Sequence, residues 1–383
     1  MNAPGKGWIE AWHVNPSLNR DYEVIDGLRG LAILSVVVSH LAYVNPASSA
    51  PVQFVGGMFA AGAHGVTLFF ALSGFLISHS FWKRKFEGAP RLVPTGYGWR
   101  RFWKIYPPLA LSILILTPIY LLRTHEPAFI SNAAQWLVGW PLFAPVSGEL
   151  NPVMWTLIVE VHFYVILPLM FIGLQRLSAK ACLWIMFFAL LLVPTAFRWW
   201  NLSRGVALTI HPDINVRFPS MLDGFAFGVL LAGLDQARVI TRRWALLGDV
   251  GFVLCLLLPP AYAWVTLHPI ASPEWQREIV GWSVKLVAAL LLCYIADGQH
   301  PRVRLLSWSW LRWLGIISYE WYLFHQPIIV WARQTFGPAG GSWTKFELIV
   351  GGSLVVGLAL AAVIYRWFSL PILKRGRSRH LPT

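Results

Sequence analysis

The chain has 383 residues, of which 56% are hydrophobic and only 13% charged, with a mean hydropathy of +0.56. A soluble domain carries about a quarter of its residues as charges, so composition excludes a water-soluble globule and predicts a protein embedded in lipid. The formal charge of +14 excludes nucleic acid as the natural partner, because the basic residues lie between apolar segments; anionic membrane lipid and an anionic cofactor account for it better.

Residues 1–21 are mixed and polar, without the apolar core of a cleavable signal peptide, and read as a cytoplasmic segment. Apolar stretches near the ~20 residues that cross a bilayer follow at 25–44, 57–80, 103–122, 152–174, 181–197, 218–235, 244–266, 279–297, 311–332 and 346–368. The pattern predicts an all-α, polytopic integral membrane helix bundle of about ten transmembrane helices, one domain over 22–371, with a basic cytoplasmic tail at 372–383. The stretch from Phe129 to Pro145 is too short and interrupted to span, and is expected to be interfacial or re-entrant. Of the 31 Lys and Arg, seven fall between Lys83 and Lys104 and five from Arg366 onward. That bias places both termini in the cytoplasm. Cys182, Cys255 and Cys293 sit in separate apolar runs without zinc or redox spacing, and are expected to be buried, inert thiols.

The first helix opens with Asp26-Gly27-Leu28-Arg29-Gly30 and ends at His40. Eleven residues at ~100° each return Arg29 and His40 to nearly one face, ~16 Å apart along the axis. A cation at the cytoplasmic edge is thus aligned with an imidazole near mid-membrane, where ionisable groups are costly and usually functional. Separately, Arg29 is also explained as a topology anchor and His40 as a hydrogen-bonded bundle residue. In the second helix, Ser73-Gly74 lets another helix or a thin ligand approach closely. Ser73 as a nucleophile lacks an adjacent base and a Gly-x-Ser-x-Gly elbow, so packing is favoured.

Arg101 and Lys104 open the third helix three residues apart on one face. They are either a topology signal or an anion site suited to phosphates. Glu160 falls near mid-membrane on the fourth helix, with Tyr164 one turn below and His162 on the other side. A carboxylate at that depth needs a partner, for which His40 is the candidate. Asp223 is a further intramembrane acid beside a Gly224-x-x-x-Gly228 packing face. Ser318, Tyr322 and His325 share one face of the ninth helix and suggest a polar cavity; His325 has a functional and a structural reading of equal weight. No His-Glu-x-x-His, cysteine cluster or P-loop occurs, so no metal is expected.

These landmarks, in this order, resemble the acyltransferase 3 group of bacterial integral-membrane O-acyltransferases, from about Tyr22 to Pro371. They are Arg29 through His40, Phe69–Leu76, Arg101–Pro107, Trp155–Tyr164, Asp223–Gly228 and Ser318–Pro327. One departure is Lys104, where the family commonly has arginine; it keeps the charge and loses the bidentate geometry. The resemblance implies a multi-pass enzyme of the bacterial inner membrane. It would move an acyl group, usually acetyl, from acyl-coenzyme A to a hydroxyl of a glycan, a lipid-linked sugar or a small molecule. It implies that Arg29, Arg101 and Lys104 hold the coenzyme's phosphates, with Ser73 beside its thin pantetheine arm. His40 would be the general base, oriented by Glu160, with His325 the rival base. Tyr164, Asp223 and Tyr322 would meet the acceptor. Direct transfer is preferred to an acyl-enzyme on Ser73 or His40. Acceptor specificity is expected in 123–151, 198–217 and 267–278, through Trp136, Trp140, Glu149, Asp213 and Trp275. The opposing class is a transporter or flippase, which also uses midplane charges and broken helices; the inverted repeats that would favour it are not visible.

Overall fold

The computed structural model describes residues 6–13, 21–41, 49–139, 151–204, 219–297, 300–336 and 343–378. Every regular element among them is helical, as the composition predicts. Eight segments are long and apolar enough to cross a membrane: Glu23–Leu41, Ala50–Phe86, Tyr97–Thr124, Pro152–Gly173, Ala179–Ser203, Arg242–Leu267, Pro273–Ala296 and Gly351–Gly376. The protein is therefore a multi-pass membrane protein.

Two of the ten stretches expected to span do not reach that standard. The stretch at 218–235 forms a helix only from Asp223 to Gln236, 14 residues, or about 21 Å at 1.5 Å per residue. The stretch at 311–332 is divided at Ile317 between Ser309–Ile316 and Ser318–Phe336, and carries Arg312 and Glu320. In the region read as interfacial or re-entrant, Ala128–Ala134 is α-helical and Gln135–Gly139 forms a wider helical turn. Trp140, Glu149 and Asp213 lie outside the described residues.

The helices are labelled α1 (Lys6–Glu10), α2 (Asp21–Leu41), α3 (Ala50–Ala60), α4 (Gly65–Phe86), α5 (Tyr97–Thr124), α6 (Ala128–Ala134), α7 (Trp155–Gly173) and α8 (Ala179–Ser203). They continue as α9 (Asp223–Gln236), α10 (Ala245–Leu267), α11 (Pro273–Leu292), α12 (Pro301–Leu306), α13 (Ser309–Ile316), α14 (Ser318–Phe336), α15 (Trp343–Ile364) and α16 (Leu370–Ser378). They group into two compact units: Met1–Leu18, Gly96–Val161 and Ile316–Thr383 in the first, Asn19–Thr95 and His162–Gly315 in the second.

The second unit is built on missing side chains. In α9, a Cβ at Gly228 would lie 2.0 Å from the Ala71 carbonyl oxygen and one at Gly224 would lie 3.0 Å from the Phe70 ring. A Cβ at Gly74 of α4 would likewise lie 2.5 Å from the Phe225 carbonyl oxygen. The small-residue faces read from the sequence therefore interlock α4 with α9, as small residues do where hydrophobicity alone cannot hold helices together in lipid. Phe225 stacks on Phe163 at 4.0 Å and tilts against Phe70 at 4.8 Å. The buried Trp82 indole N–H donates to the Val229 carbonyl at 3.0 Å. The same device seats α2: a Cβ at Gly27, Gly30 or Gly315 would fall within 2.0 Å of a backbone oxygen, of Leu306, Leu311 and Asp26 respectively. The two glycines flanking Arg29 thus serve the approach of α12 and α13.

The first unit has a hydrophobic core around Leu109, Ile113, Leu116, Leu157, Leu323 and Phe324. Its polar groups are tied to backbone. The Asn151 amide donates to the Leu323 carbonyl at 2.7 Å while its oxygen caps the helical turn at Val153. Tyr106 donates to the Leu137 carbonyl at 2.8 Å, and Tyr319 to that of Ile105 at 2.9 Å. Pro107, Pro108 and Pro118 lie inside α5, each removing the N–H that would bond the carbonyl four residues earlier.

Candidate active site

In the second unit, α2 is unbroken from Asp21 to Leu41. The expected alignment of Arg29 with His40 follows directly from its helical rise, ~16 Å over eleven residues. His40 is half-buried, and its Nδ1 lies 3.0 Å from the Val36 carbonyl one turn back. A carbonyl only accepts, so Nδ1 carries the proton and Nε2 is the basic nitrogen. Ser73 is half-buried next to Gly74, the residue that packs against α9. Tyr164 is buried on α7.

Asp223 has a different setting from the one the sequence suggested. It is 1% exposed, and its Oδ2 accepts from both Arg198 (2.9 Å) and Lys285. Arg198 also makes a two-pronged contact with Glu278, Nε to Oε1 at 2.6 Å and Nη2 to Oε2 at 3.1 Å, and donates through Nη1 to the Ser220 carbonyl at 2.5 Å. Two cations and two carboxylates from α8, α9 and α11 therefore form one neutral buried cluster. Asp223 Oδ1 has no partner among the described residues. Arg198, Glu278 and Lys285 were not singled out from the sequence. The available signal was a cation inside each of two apolar runs, 181–197 with its continuation and 279–297.

In the first unit, Arg101 and Lys104 are both half-buried on the first turns of α5. Arg101 lies over the Tyr97 ring at 5.8 Å, a cation–π arrangement. Glu160 is half-buried on α7 and within electrostatic range of Tyr97, Tyr319 and Tyr322. This unit therefore brings Arg101, Glu160 and three tyrosines into one neighbourhood, of which Tyr97 and Tyr319 were not foreseen. The Tyr322 hydroxyl donates to the Val153 carbonyl at 2.8 Å and accepts from Thr156 at 2.9 Å. His325 is 1% exposed, with Nδ1 shared between the carbonyls of Trp321 (3.1 Å) and Tyr322 (2.8 Å). Like His40, it therefore presents Nε2 as its basic nitrogen.

His40 belongs to the second unit and Glu160 to the first. Each unit supplies a histidine in the same tautomer and a half-buried arginine. Among the described residues no group of three His, Cys, Asp or Glu side chains is placed to hold a metal ion. None of the three cysteines is in a disulfide; Cys182 and Cys293 are buried and Cys255 half-buried.

A family profile described as an acyltransferase domain, that of acyltransferase 3, matches residues 22–366. The peptidoglycan O-acetyltransferase of Listeria monocytogenes is 27% identical over 390 residues, 92% of this chain and 56% of that protein. The O-acetyltransferase of Staphylococcus aureus is 24% identical over 392 residues, 92% of this chain and 57% of that one. A Bacillus subtilis relative is 26% identical over 380 residues, 92% and 55% of the two chains. The chain thus spans a little over half the length of these relatives. No solved structure matches it.

Proposed function

We propose that this chain, which belongs to the acyltransferase 3 family, is a membrane O-acyltransferase that moves an acetyl group from acetyl-coenzyme A to a hydroxyl of a carbohydrate acceptor. The observation that carries the reading is the family match, whose span from 22 to 366 contains Arg29, His40, Arg101, Glu160 and His325. The names of two relatives, both O-acetyltransferases and one of peptidoglycan, favour acetyl and a glycan over other acyl groups and acceptors.

His40 Nε2 takes the proton of the acceptor hydroxyl as its oxygen attacks the thioester carbonyl. The carbon–sulfur bond then breaks, and the coenzyme leaves as a thiol with the proton returned by the imidazolium. The Val36 carbonyl already holds Nδ1–H at 3.0 Å, so Glu160 is not needed to choose the tautomer. Its contribution is negative charge, which favours the imidazolium formed in the transition state. Tyr164, Asp223 and Tyr322 remain proposals for acceptor contacts, although Tyr322 and Asp223 also have local partners that give them structural work.

The reading is tested with purified protein in lipid and radiolabelled acetyl-coenzyme A. Acceptor-dependent release of free coenzyme with label on the acceptor is the expected result. Movement of a solute across the vesicle without thioester cleavage would overturn it. Arg29, Arg101 and Lys104 are proposed to hold the coenzyme's phosphates. Removing a hydrogen bond to a charged group costs about 1.5–3 kcal/mol, so Arg29→Ala and Arg101→Ala should each weaken coenzyme binding about 10- to 100-fold. Lys104→Arg should bind normally, since it restores forked geometry at the same charge. Equilibrium binding of coenzyme A checks all three, and unchanged affinity in both alanine variants would move the phosphate site elsewhere.

The proposed setting is the bacterial inner membrane, with both termini in the cytoplasm. Single cysteines placed at residue 90 and after Lys374 should react with a membrane-impermeant maleimide only after cell lysis, and one within 267–278 should react in intact spheroplasts. Labelling of residue 90 from outside would invert the topology.

A further inference from the structure

Arg29 and His40 share one face of α2; Leu31, Leu34, Ser35 and Val38 lie on the opposite face, about half a turn away at ~100° per residue. That reverse face borders a cavity of about 300 Å³, enclosed further by the Ala61–His64 turn, α4, α10 and α11. It opens where packing is interrupted. Gly62 and Gly65 draw the turn against α2, since a Cβ on either would lie 2.2 and 2.5 Å from the Ser35 and Ala32 carbonyl oxygens. Pro259, inside α10, lines the other wall.

The wall chemistry selects an apolar occupant. Among the described residues, the polar side chains that line it are Ser35, His64 and Cys255. The Ser35 hydroxyl is satisfied by the Leu31 carbonyl at 2.7 Å, and the His64 ring meets the Tyr262 ring edge-on at 5.3 Å. A water molecule requires two to four polar partners, and apolar cavities of this kind stay dry and take hydrocarbon. The volume is at the lower end of the ~300–1,000 Å³ of small-molecule sites.

The mouth identifies the source. Phe59 lines the cavity and is 49% exposed. The spanning segment Arg242–Leu267, which forms one wall, has only 11% of its apolar stretch buried, against 33–56% in the other seven. In a multi-pass protein that surface is covered by lipid tails, so the cavity is continuous with the bilayer's hydrocarbon. We propose that it is a binding site for one acyl chain of a bilayer lipid, inserted behind α2 on the side away from Arg29 and His40. The inference does not depend on the proposed acetyl transfer. A chain that binds only the folded protein stabilises it by mass action, and it replaces the contacts an empty cavity forfeits.

The test uses the full chain in phosphatidylglycerol vesicles containing a phosphatidylglycerol with a diazirine on one acyl chain. Mapped adducts are expected on the lining residues Met58, Phe59, Ala61 and Gly62 and on Cys255, Leu258 and Pro259, and excess unlabelled phosphatidylglycerol should suppress them. Val284→Phe and Leu258→Phe fill the cavity independently and should each abolish these adducts while leaving those on the outward Leu256 and Leu257. In detergent, added phosphatidylglycerol should raise the unfolding temperature of the parent and not of the filled variants. Adducts at these positions that persist in a folded filled variant, or a parent with no saturable adducts there, would overturn the site.

Discussion

His40→Ala is expected to fold, to bind acetyl-coenzyme A as tightly as the parent, and to transfer the acetyl group about 10²- to 10⁴-fold more slowly, the usual cost of removing a general base. The expectation rests on three features of one helix. An ionisable group near mid-membrane is expensive and is retained for a purpose. Its Nδ1–H is held by Val36, so the basic nitrogen is Nε2. The unbroken α2 carries Arg29 on the same face, at the depth proposed for the coenzyme's phosphates. Glu160→Gln should cost less than His40→Ala, because it keeps the size and hydrogen-bonding capacity and removes only the charge favouring imidazolium. Single-turnover transfer and coenzyme binding, both normalised to folded protein, make the comparison.

The competing account makes His40 a packing residue and His325 the base. His325 has the same tautomer, fixed by two carbonyls of α14, and is far more deeply buried than His40. If His325→Ala alone abolishes transfer and His40→Ala turns over normally per folded molecule, the base lies on α14 and the proposed mechanism fails. If His40→Ala loses activity only in proportion to its loss of thermal stability, it is packing that has been measured. Rescue of the His40→Ala rate by added imidazole, with no gain in stability, would separate chemistry from packing.

What was legible in the sequence was set by local period and composition. The helices α2, α4, α5, α7, α8, α10 and α11 follow from apolar runs of spanning length, and the Gly224-x-x-x-Gly228 face does pack as read. The helices that departed are those whose character depends on distant partners. The helix α9 is short, and its buried residues, including Gly224 and Gly228, are fixed by a helix some 150 residues earlier in the chain. The division at Ile317 places Gly315 against the Asp26 carbonyl, a contact no window of sequence contains. The glycines around Arg29 drew attention as part of a motif, yet their demand is steric and belongs to α12 and α13. A histidine or carboxylate in an apolar run, such as His40, Glu160 or Asp223, stands out by its own oddity. Arg198 and Lys285 do not stand out in the sequence, because a neutral cluster is invisible until its four members are folded together.

That cluster gives the largest expected effect on stability. Asp223→Asn leaves Lys285 and part of the Arg198 guanidinium facing a group that no longer carries charge, in a site where Asp223 is 1% exposed. Removing one partner of a buried ion pair costs about 3–5 kcal/mol, chiefly because the remaining charge is stranded. Lys285→Met strands the opposite sign, since Asp223 and Glu278 must then share Arg198. The double variant Asp223→Asn/Lys285→Met removes one charge of each sign and leaves the two-pronged Arg198–Glu278 pair intact, at 2.6 and 3.1 Å. It should therefore be more stable than Asp223→Asn alone, although it carries one more substitution. Unfolding in detergent, monitored thermally or by denaturant, gives the comparison; salt should change it little, because buried charges are poorly screened. Losses that simply add in the double variant would show that the two residues are not coupled. The same protein also separates the two roles of Asp223. Oδ2 is occupied by the cations, whereas Oδ1 has no partner among the described residues. A double variant that regains stability but keeps a raised acceptor KM assigns Oδ1 to the acceptor hydroxyl. One that regains both leaves Asp223 with the ion cluster alone.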